Sequence, residues 1–211
     1  KCTKETLSAS RLAAMLSKAC DDLYGQKPGD DTTVAVTRVI ERRIVNLFTG
    51  PPTQKEDDER VVKDFMRGEG RKVVCGGTSA NIVARILHKD IVTSLNYADP
   101  NVPPTAAIDG LDLVTEGVLT LGKALNLLRR YEQDEFDEAF FDELDAENGA
   151  AKLAKLIIEE CTELNMFVGK AVNTAHQNSN LPFDLSIRMN LVDQLKECAE
   201  HIGKNVNVKY Y

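Results

Sequence analysis

Short unbroken apolar runs alternate with longer amphipathic segments over most of the chain after residue 43. Unbroken apolar runs fit β-strands that are covered on both faces, whereas apolar residues spaced three and four apart fit helices. Strands are predicted at residues 44–48, 73–75, 91–95, 111–115, 166–168 and 205–211, and helices at 57–67, 78–87, 118–130, 134–147, 149–162 and 185–202. This alternation predicts an α/β fold with an open, largely parallel sheet and flanking helices.

The segment from Arg71 to Leu87 is the predicted central strand–helix unit. Its strand ends at Cys75, Gly76-Gly77 forms a tight turn, and Thr78 or Ser79 is expected to cap the helix that follows. Such a turn leaves backbone N–H groups free at the positive end of the helix dipole. We therefore expect an anion or small-molecule site here. A tight turn with a hydroxyl cap is an equally good structural explanation of the same residues.

Other candidate ligand-binding residues lie at the ends of other predicted strands. Loops at the carboxyl ends of parallel strands converge on one crevice, which is the reason for grouping them. A polar loop after the strand at 166–168 adds two more candidates. The predicted set is Gly50, Gly76, Gly77, Thr78, Ser79, Asn81, Glu116, Gly117, Asn173 and His176. Glu116 also fits a helix-start residue, and the polar loop also fits a surface turn.

The N-terminal part of the chain has a different pattern. Apolar residues between Leu7 and Leu23 predict an amphipathic helix, and the β-branched segment from Thr32 to Ile40 predicts a strand. Asp30 and Asp31 lie at the turn between them. Adjacent carboxylates at a strand entrance suit Mg²⁺ or Mn²⁺, although aspartate is also a common turn residue.

The sequence KPGDDTTVAVTRV, within the first 42 residues, resembles the C-terminal end of bacterial PPM/PP2C-type protein phosphatases, in the sporulation stage II protein E-like branch. The resemblance implies that Asp30 binds a metal pair, Mn²⁺ or Mg²⁺, and that Asp31, Thr32 and Thr33 complete the motif. It also implies a phosphoprotein substrate. The other metal-binding aspartates of the family are expected upstream of Lys1, and Asp109-Gly110 is on the wrong side of the motif to replace them.

On this reading the chain is a piece of a longer protein, with a phosphatase remnant at 1–42 and an α/β accessory domain at 43–211. The fragment alone is expected to be inactive, because one aspartate cannot complete a two-metal site. The accessory domain would act as a regulatory or ligand-binding module. The alternatives are a stand-alone α/β domain that binds an anionic small molecule, and a structural dimerisation domain that forms a homodimer.

Composition narrows the class of protein. A net charge of -7 argues against a sequence-independent nucleic-acid binder, which needs clustered Lys and Arg. The absence of a long apolar run argues against a membrane partner, and no signal peptide is evident, so we expect a cytoplasmic protein. The five cysteines contain no CxxC pair, which favours a reducing compartment over structural zinc. Cys75 has no histidine nearby in sequence, so a nucleophilic role is not expected.

Overall fold

The computed structural model describes residues 7–27, 29–93, 105–171 and 183–211. The strands are β1 Ile44–Thr49, β2 Arg71–Cys75, β3 Val92–Thr93, β4 Ala106–Ala107, β5 Leu113–Thr115, β6 Glu163–Val168 and β7 Asn205–Tyr210. The helices are α1 Ala9–Leu23, α2 Asp58–Arg67, α3 Gly77–Leu87, α4 Val118–Glu132, α5 Glu138–Leu144, α6 Gly149–Glu160 and α7 Phe183–His201. Within these ranges, no helix is both long enough and apolar enough to cross a lipid bilayer.

The strands form one seven-stranded sheet in the order β3-β4-β5-β2-β1-β6-β7. The five strands from β5 to β7 in this order are parallel, and β3 and β4 add an antiparallel edge. The predicted α/β fold is therefore confirmed. The chain steps outward from β1 through β2 to β5, then returns to the other side of β1 for β6 and β7. This reversal between β1 and β6 is the topological switch point, where doubly wound sheets form their ligand crevices.

The central strands are buried by helices on both faces. Val73 and Cys75 of β2 pack with the layer of α4, α6 and α7, whereas Val74 packs with α2 and α3. A strand covered on both faces needs apolar residues at every position, which explains the unbroken apolar run. The helical spacing of the flanking segments supplies the matching apolar stripes.

A row of three asparagines crosses the sheet on the α2 and α3 side. Asn46 of β1 is fully buried, and its amide donates to Glu69 O at 2.7 Å. Asn165 of β6 donates to Asn46 Oδ1 at 3.3 Å, and Asn207 of β7 donates to Asn165 Oδ1 at 3.1 Å. We call these three residues the asparagine ladder. It satisfies the polar side chain of Asn46, which lies between apolar residues of β1.

The N-terminal segment differs from the prediction in one respect. Helix α1 forms as expected, but residues 29–43 contain no strand, so the predicted strand from Thr32 to Ile40 is wrong. A strand requires a hydrogen-bonded neighbour, and none of the described strands pairs with this segment. Val39 is accordingly 96% exposed. The domain boundary near residue 42 stays a prediction.

The helix predicted at 134–147 is shorter in the structure, where α5 covers Glu138–Leu144 and its acidic residues are exposed. Its aromatic residues Phe140 and Phe141 are buried within the main core. In the strand predicted at 91–95, the described residues form β3, and residues 94 and 95 lie outside the described part of the chain. Strand β4 was not predicted, because two alanines give no periodic signal.

Candidate functional site

A cavity of about 440 Å³ lies at the carboxyl ends of β1, β2 and β5. This size is within the range of pockets that hold small molecules. The three glycine turns that the sequence singled out meet here, as expected for parallel strand ends. The lining residues are Thr49, Gly50, Pro51, Cys75, Gly76, Gly77, Thr78, Ser79, Glu116, Gly117, Val118 and Arg188.

The turn between β2 and α3 is built on Gly76. Its φ of 118° is a conformation that residues with a side chain rarely adopt. Gly76 N donates to Thr115 O at 2.9 Å, which ties the turn to the end of β5, and Ala80 N donates to Gly76 O at 2.9 Å to begin α3. Gly76 is therefore the N-cap, and no side chain caps the helix. The predicted cap at Thr78 or Ser79 is wrong, because the glycine turn lets the helix begin before either residue.

The first turn of α3 presents unused donors and an unpartnered hydroxyl. Because the first helical bond starts at Ala80 N, the N–H groups of Gly77, Thr78 and Ser79 have no intrahelical acceptor. Ser79 is only 1% exposed, and its Oγ has no hydrogen-bond partner among the described residues. A buried hydroxyl without a partner costs free energy, so this atom points to a group that the cavity takes up.

A second helix begins beside the first. Helix α4 follows Gly117, and its first hydrogen bond runs from Leu121 N to Gly117 O at 3.0 Å. A Cβ added to Gly117 would lie 3.4 Å from Gly76 Cα, so the two turns are in van der Waals contact. The positive ends of two helix dipoles therefore meet at the cavity.

Glu116 also lies at this junction. Its backbone oxygen accepts a hydrogen bond from Thr115 Oγ1 at 2.9 Å. The Oε2 atom of its side chain is buried, and no group in the described part of the chain hydrogen-bonds to it. Glu116 is thus a lining carboxylate beside two helix N-termini, which is a favourable position for its charge.

Arg188 of α7 supplies the cation of the site, and the sequence analysis did not find it. Its side chain is almost fully buried at 8% exposure, and Nη2 donates to Gly169 O at 3.2 Å and Ala171 O at 2.7 Å. These carbonyls hold the guanidinium at the switch point between β1 and β6. A signal was present in the sequence: Arg188 lies four residues before Val192, a fully buried residue of the same helix, so both share the inward face.

Cys75 lines the cavity with a thiol that stays protonated. Burial raises the pKa of Cys75 to about 12, against a weaker lowering by the hydrogen bond from Thr115. The thiolate is the nucleophilic form of cysteine, so this residue does not act as a nucleophile near neutral pH.

One predicted site residue, Asn81, does not lie at the cavity. Asn81 is exposed and does not line it, because it points away from the face of α3 that carries Ser79. Asn173 and His176 lie outside the described residues.

Asp30 and Asp31 are exposed in the segment between α1 and β1. Asp31 N donates to Asp30 Oδ1 at 2.9 Å, which is a local turn contact. In the described part of the chain, no three His, Cys, Asp or Glu residues are grouped to hold a metal ion. These two aspartates supply at most part of a metal site, and the described residues do not complete one.

A larger groove of about 1030 Å³ runs between α1 and α5, away from the strand ends. Arg11 of α1 crosses its base, where Nη1 and Nη2 donate to Asp145 at 2.6 and 2.7 Å and Nε donates to Glu159 at 2.7 Å. The Arg11 guanidinium also lies 4.7 Å from the centre of the Phe141 ring. These contacts fasten α1 to the α/β domain.

Comparison with models of known families, with curated proteins and with solved structures found no match.

Proposed function

We propose that the α/β domain is a binding module for a small anionic ligand, held at the start of α3. The observation that carries this proposal is the buried Ser79 Oγ without a partner, beside the free N–H groups of Gly77 and Thr78. An anionic oxygen accepts hydrogen bonds from all of these donors at once.

The charges around the cavity support the same conclusion. Two helix N-termini and the guanidinium of Arg188 favour negative charge. Cavity volume supports a metabolite-sized ligand over a macromolecule. The protonated thiol of Cys75 supports binding over covalent catalysis.

The test uses inorganic phosphate as the probe, with calorimetry at fixed ionic strength. Ser79→Ala removes one hydrogen bond to a charged group, worth about 1.5–3 kcal/mol, so phosphate should bind roughly 10- to 100-fold more weakly. The same change removes a buried unsatisfied hydroxyl, so the ligand-free protein should be more stable, by about 1 kcal/mol. Weaker binding combined with higher stability is the signature of a functional hydroxyl.

Two further variants sharpen the result. Gly77→Asp places a carboxylate at the anion position, and it should fold normally because a Cβ there meets nothing within 4 Å. It should abolish phosphate binding. Ser17→Ala, on the exposed surface of α1, is the matched control and should change neither property. The proposal fails if the unmodified protein binds no phosphate, or if Gly77→Asp binds it as well as the unmodified protein does.

We propose, as a second function, that the chain is the C-terminal region of a metal-dependent protein serine/threonine phosphatase, with the α/β domain as its regulatory module. The resemblance around Asp30 supports this, and so does one observation on α1. None of its residues is buried, and two of its apolar residues are largely exposed, Met15 at 58% and Leu23 at 88%. An amphipathic helix with an uncovered apolar face is what the last helix of a neighbouring domain would present.

In this proposal Asp30 would contribute a ligand to the Mn²⁺ or Mg²⁺ of the intact enzyme, whose substrate would be a phosphoprotein. The complete gene product should then hydrolyse p-nitrophenyl phosphate in the presence of Mn²⁺, and Asp30→Asn should remove that activity. Asp109→Asn, at an exposed aspartate outside the motif, is the control and should leave it unchanged. A gene product without Mn²⁺-dependent hydrolysis would contradict the proposal.

A further inference from the structure

Glu116 is difficult to explain as part of a site for a bare anion. It lines the same cavity as Ser79 and Arg188, and a carboxylate repels a second negative charge placed beside it. Its position before α4 accounts for its charge, through the helix dipole, but not for the burial of Oε2 without a partner. A carboxylate oxygen in that state needs a hydrogen-bond donor.

Within the described residues, no group donates a hydrogen bond to Oε2. Thr115 Oγ1 donates to the backbone oxygen of Glu116 and lies 3.2 Å from Cys75 Sγ, so it is already engaged. Arg188 Nη2 is held by the carbonyls of Gly169 and Ala171. The hydroxyl of Ser79 also lines the cavity and is taken by the proposed anion, so a donor on the occupant would complete the hydrogen bonding of Oε2.

We infer that Glu116 selects the ligand: the site takes a small organic anion that carries a hydroxyl or ammonium donor close to its anionic group. The anionic end lies at the start of α3 with Ser79, and the donor lies against Glu116. This inference rests on the proposed anion site and adds its chemical class. Inorganic phosphate, which has no donor on a carbon chain, should still bind at the start of α3, but less tightly than such a ligand.

Two probes of equal chain length separate the two parts of this recognition. Glycerol 1-phosphate and n-propyl phosphate carry the same anionic group, and only the first carries hydroxyls. The unmodified protein should bind glycerol 1-phosphate about 10-fold or more tightly than n-propyl phosphate, as measured by calorimetry, because a hydrogen bond to a charged group is gained. Phosphoethanolamine provides the ammonium arm of the same comparison.

Glu116→Ala should bring that ratio close to one. Glycerol 1-phosphate should bind more weakly to this variant, because its hydrogen bond to Glu116 is lost. The affinity for n-propyl phosphate should stay the same or increase, because the repulsion by Glu116 is gone. Glu116→Gln keeps an acceptor oxygen without the charge, so it should retain part of the preference for glycerol 1-phosphate. Glu135→Ala, at an exposed glutamate after α4, is the control and should keep the full ratio.

The outcomes distinguish this inference from the anion site itself. Suppose that phosphate binding depends on Ser79 but that the protein shows no preference for glycerol 1-phosphate or phosphoethanolamine. This result overturns the role of Glu116 and supports the anion site. An unchanged ratio in Glu116→Ala overturns it as well. If the unmodified protein binds none of the phosphates, both the anion site and this inference are wrong.

Discussion

The attachment of α1 to the α/β domain depends on Arg11, and replacing this residue provides a direct test. The Arg11 side chain is 13% exposed and bridges Asp145, which is 42% exposed, and Glu159, which is 11% exposed. No residue of α1 is buried, so apolar packing contributes little to holding it. Arg11→Ala should therefore release the helix without unfolding the sheet.

The expected magnitude lies between two limits. Breaking a buried ion pair costs about 3–5 kcal/mol, and an exposed pair is worth about 0–1 kcal/mol. Asp145 keeps Lys155 as a partner at 2.5 Å, and Glu159 keeps Ser8 at 2.9 Å, so neither carboxylate is left alone. We expect a loss of about 2 kcal/mol in the local stability of α1, which is a roughly 30-fold larger population of the open state.

Amide hydrogen exchange followed by mass spectrometry measures this opening, on peptides covering residues 9–23. Exchange in α1 should accelerate by that factor in Arg11→Ala, while peptides from β1 and β2 remain as protected as before. Lys18→Ala removes an exposed ion pair with Asp22 on the same helix and should leave the exchange unchanged. The reasoning is refuted if both variants accelerate α1 equally, or if Arg11→Ala does not accelerate it.

Two more predictions concern the switch point and the buried thiol. Gly169→Ala should destabilise the protein by more than about 3 kcal/mol in urea unfolding, because a Cβ there would lie 2.1 Å from Pro51 O. The control is Gly122→Ala, whose Cβ meets nothing within 4 Å, and it should be neutral or stabilising. Equal stabilities for the two variants would contradict the close packing. Burial raises the pKa of Cys75 to about 12. Above a pH of about 8.5 the unfolded chain therefore loses this proton, while the folded protein keeps it. The free energy of unfolding should then fall by about 1.4 kcal/mol per pH unit because of this thiol. Urea unfolding between about pH 9 and 10.5 measures this fall, and the free energy of unfolding should decrease less steeply with pH in Cys75→Ala than in the unmodified protein. An identical dependence on pH in the two proteins would show that the thiol ionises in the folded state.

The sheet was predictable because its central strands carry an unambiguous pattern. Val73 to Cys75 is apolar without alternation, and only a strand covered on both faces requires that. The convergence of the glycine turns followed from the parallel arrangement of β1, β2 and β5. Local composition was misleading from Thr32 to Ile40, where β-branched residues favoured a strand that has no neighbour to pair with.

The site was only partly predictable. The glycine turns and Glu116 carry local signals, whereas Arg188 reaches the cavity from a helix more than a hundred residues after β1. The unpartnered states of Ser79 and Glu116 depend on tertiary packing, which no local pattern contains. Hydrophobic periodicity therefore predicted the sheet and its helices, whereas the unpartnered atoms of Ser79 and Glu116 and the place of Arg188 were identified from the structure.

The asparagine ladder has a consequence for how the chain reaches this fold. Asn46 and Asn165 are 119 residues apart, and Asn165 and Asn207 are 42 apart. The second edge of β1 therefore stays unpaired until β6, which lies far along the chain, joins the sheet. Parallel pairing over such distances is slow, because the loop must close before its contacts form. A slip of one residue in β1 would place the Asn46 amide in the apolar layer of α4, α6 and α7. The ladder thus penalises misaligned intermediates during the period when β1 is most exposed to aggregation.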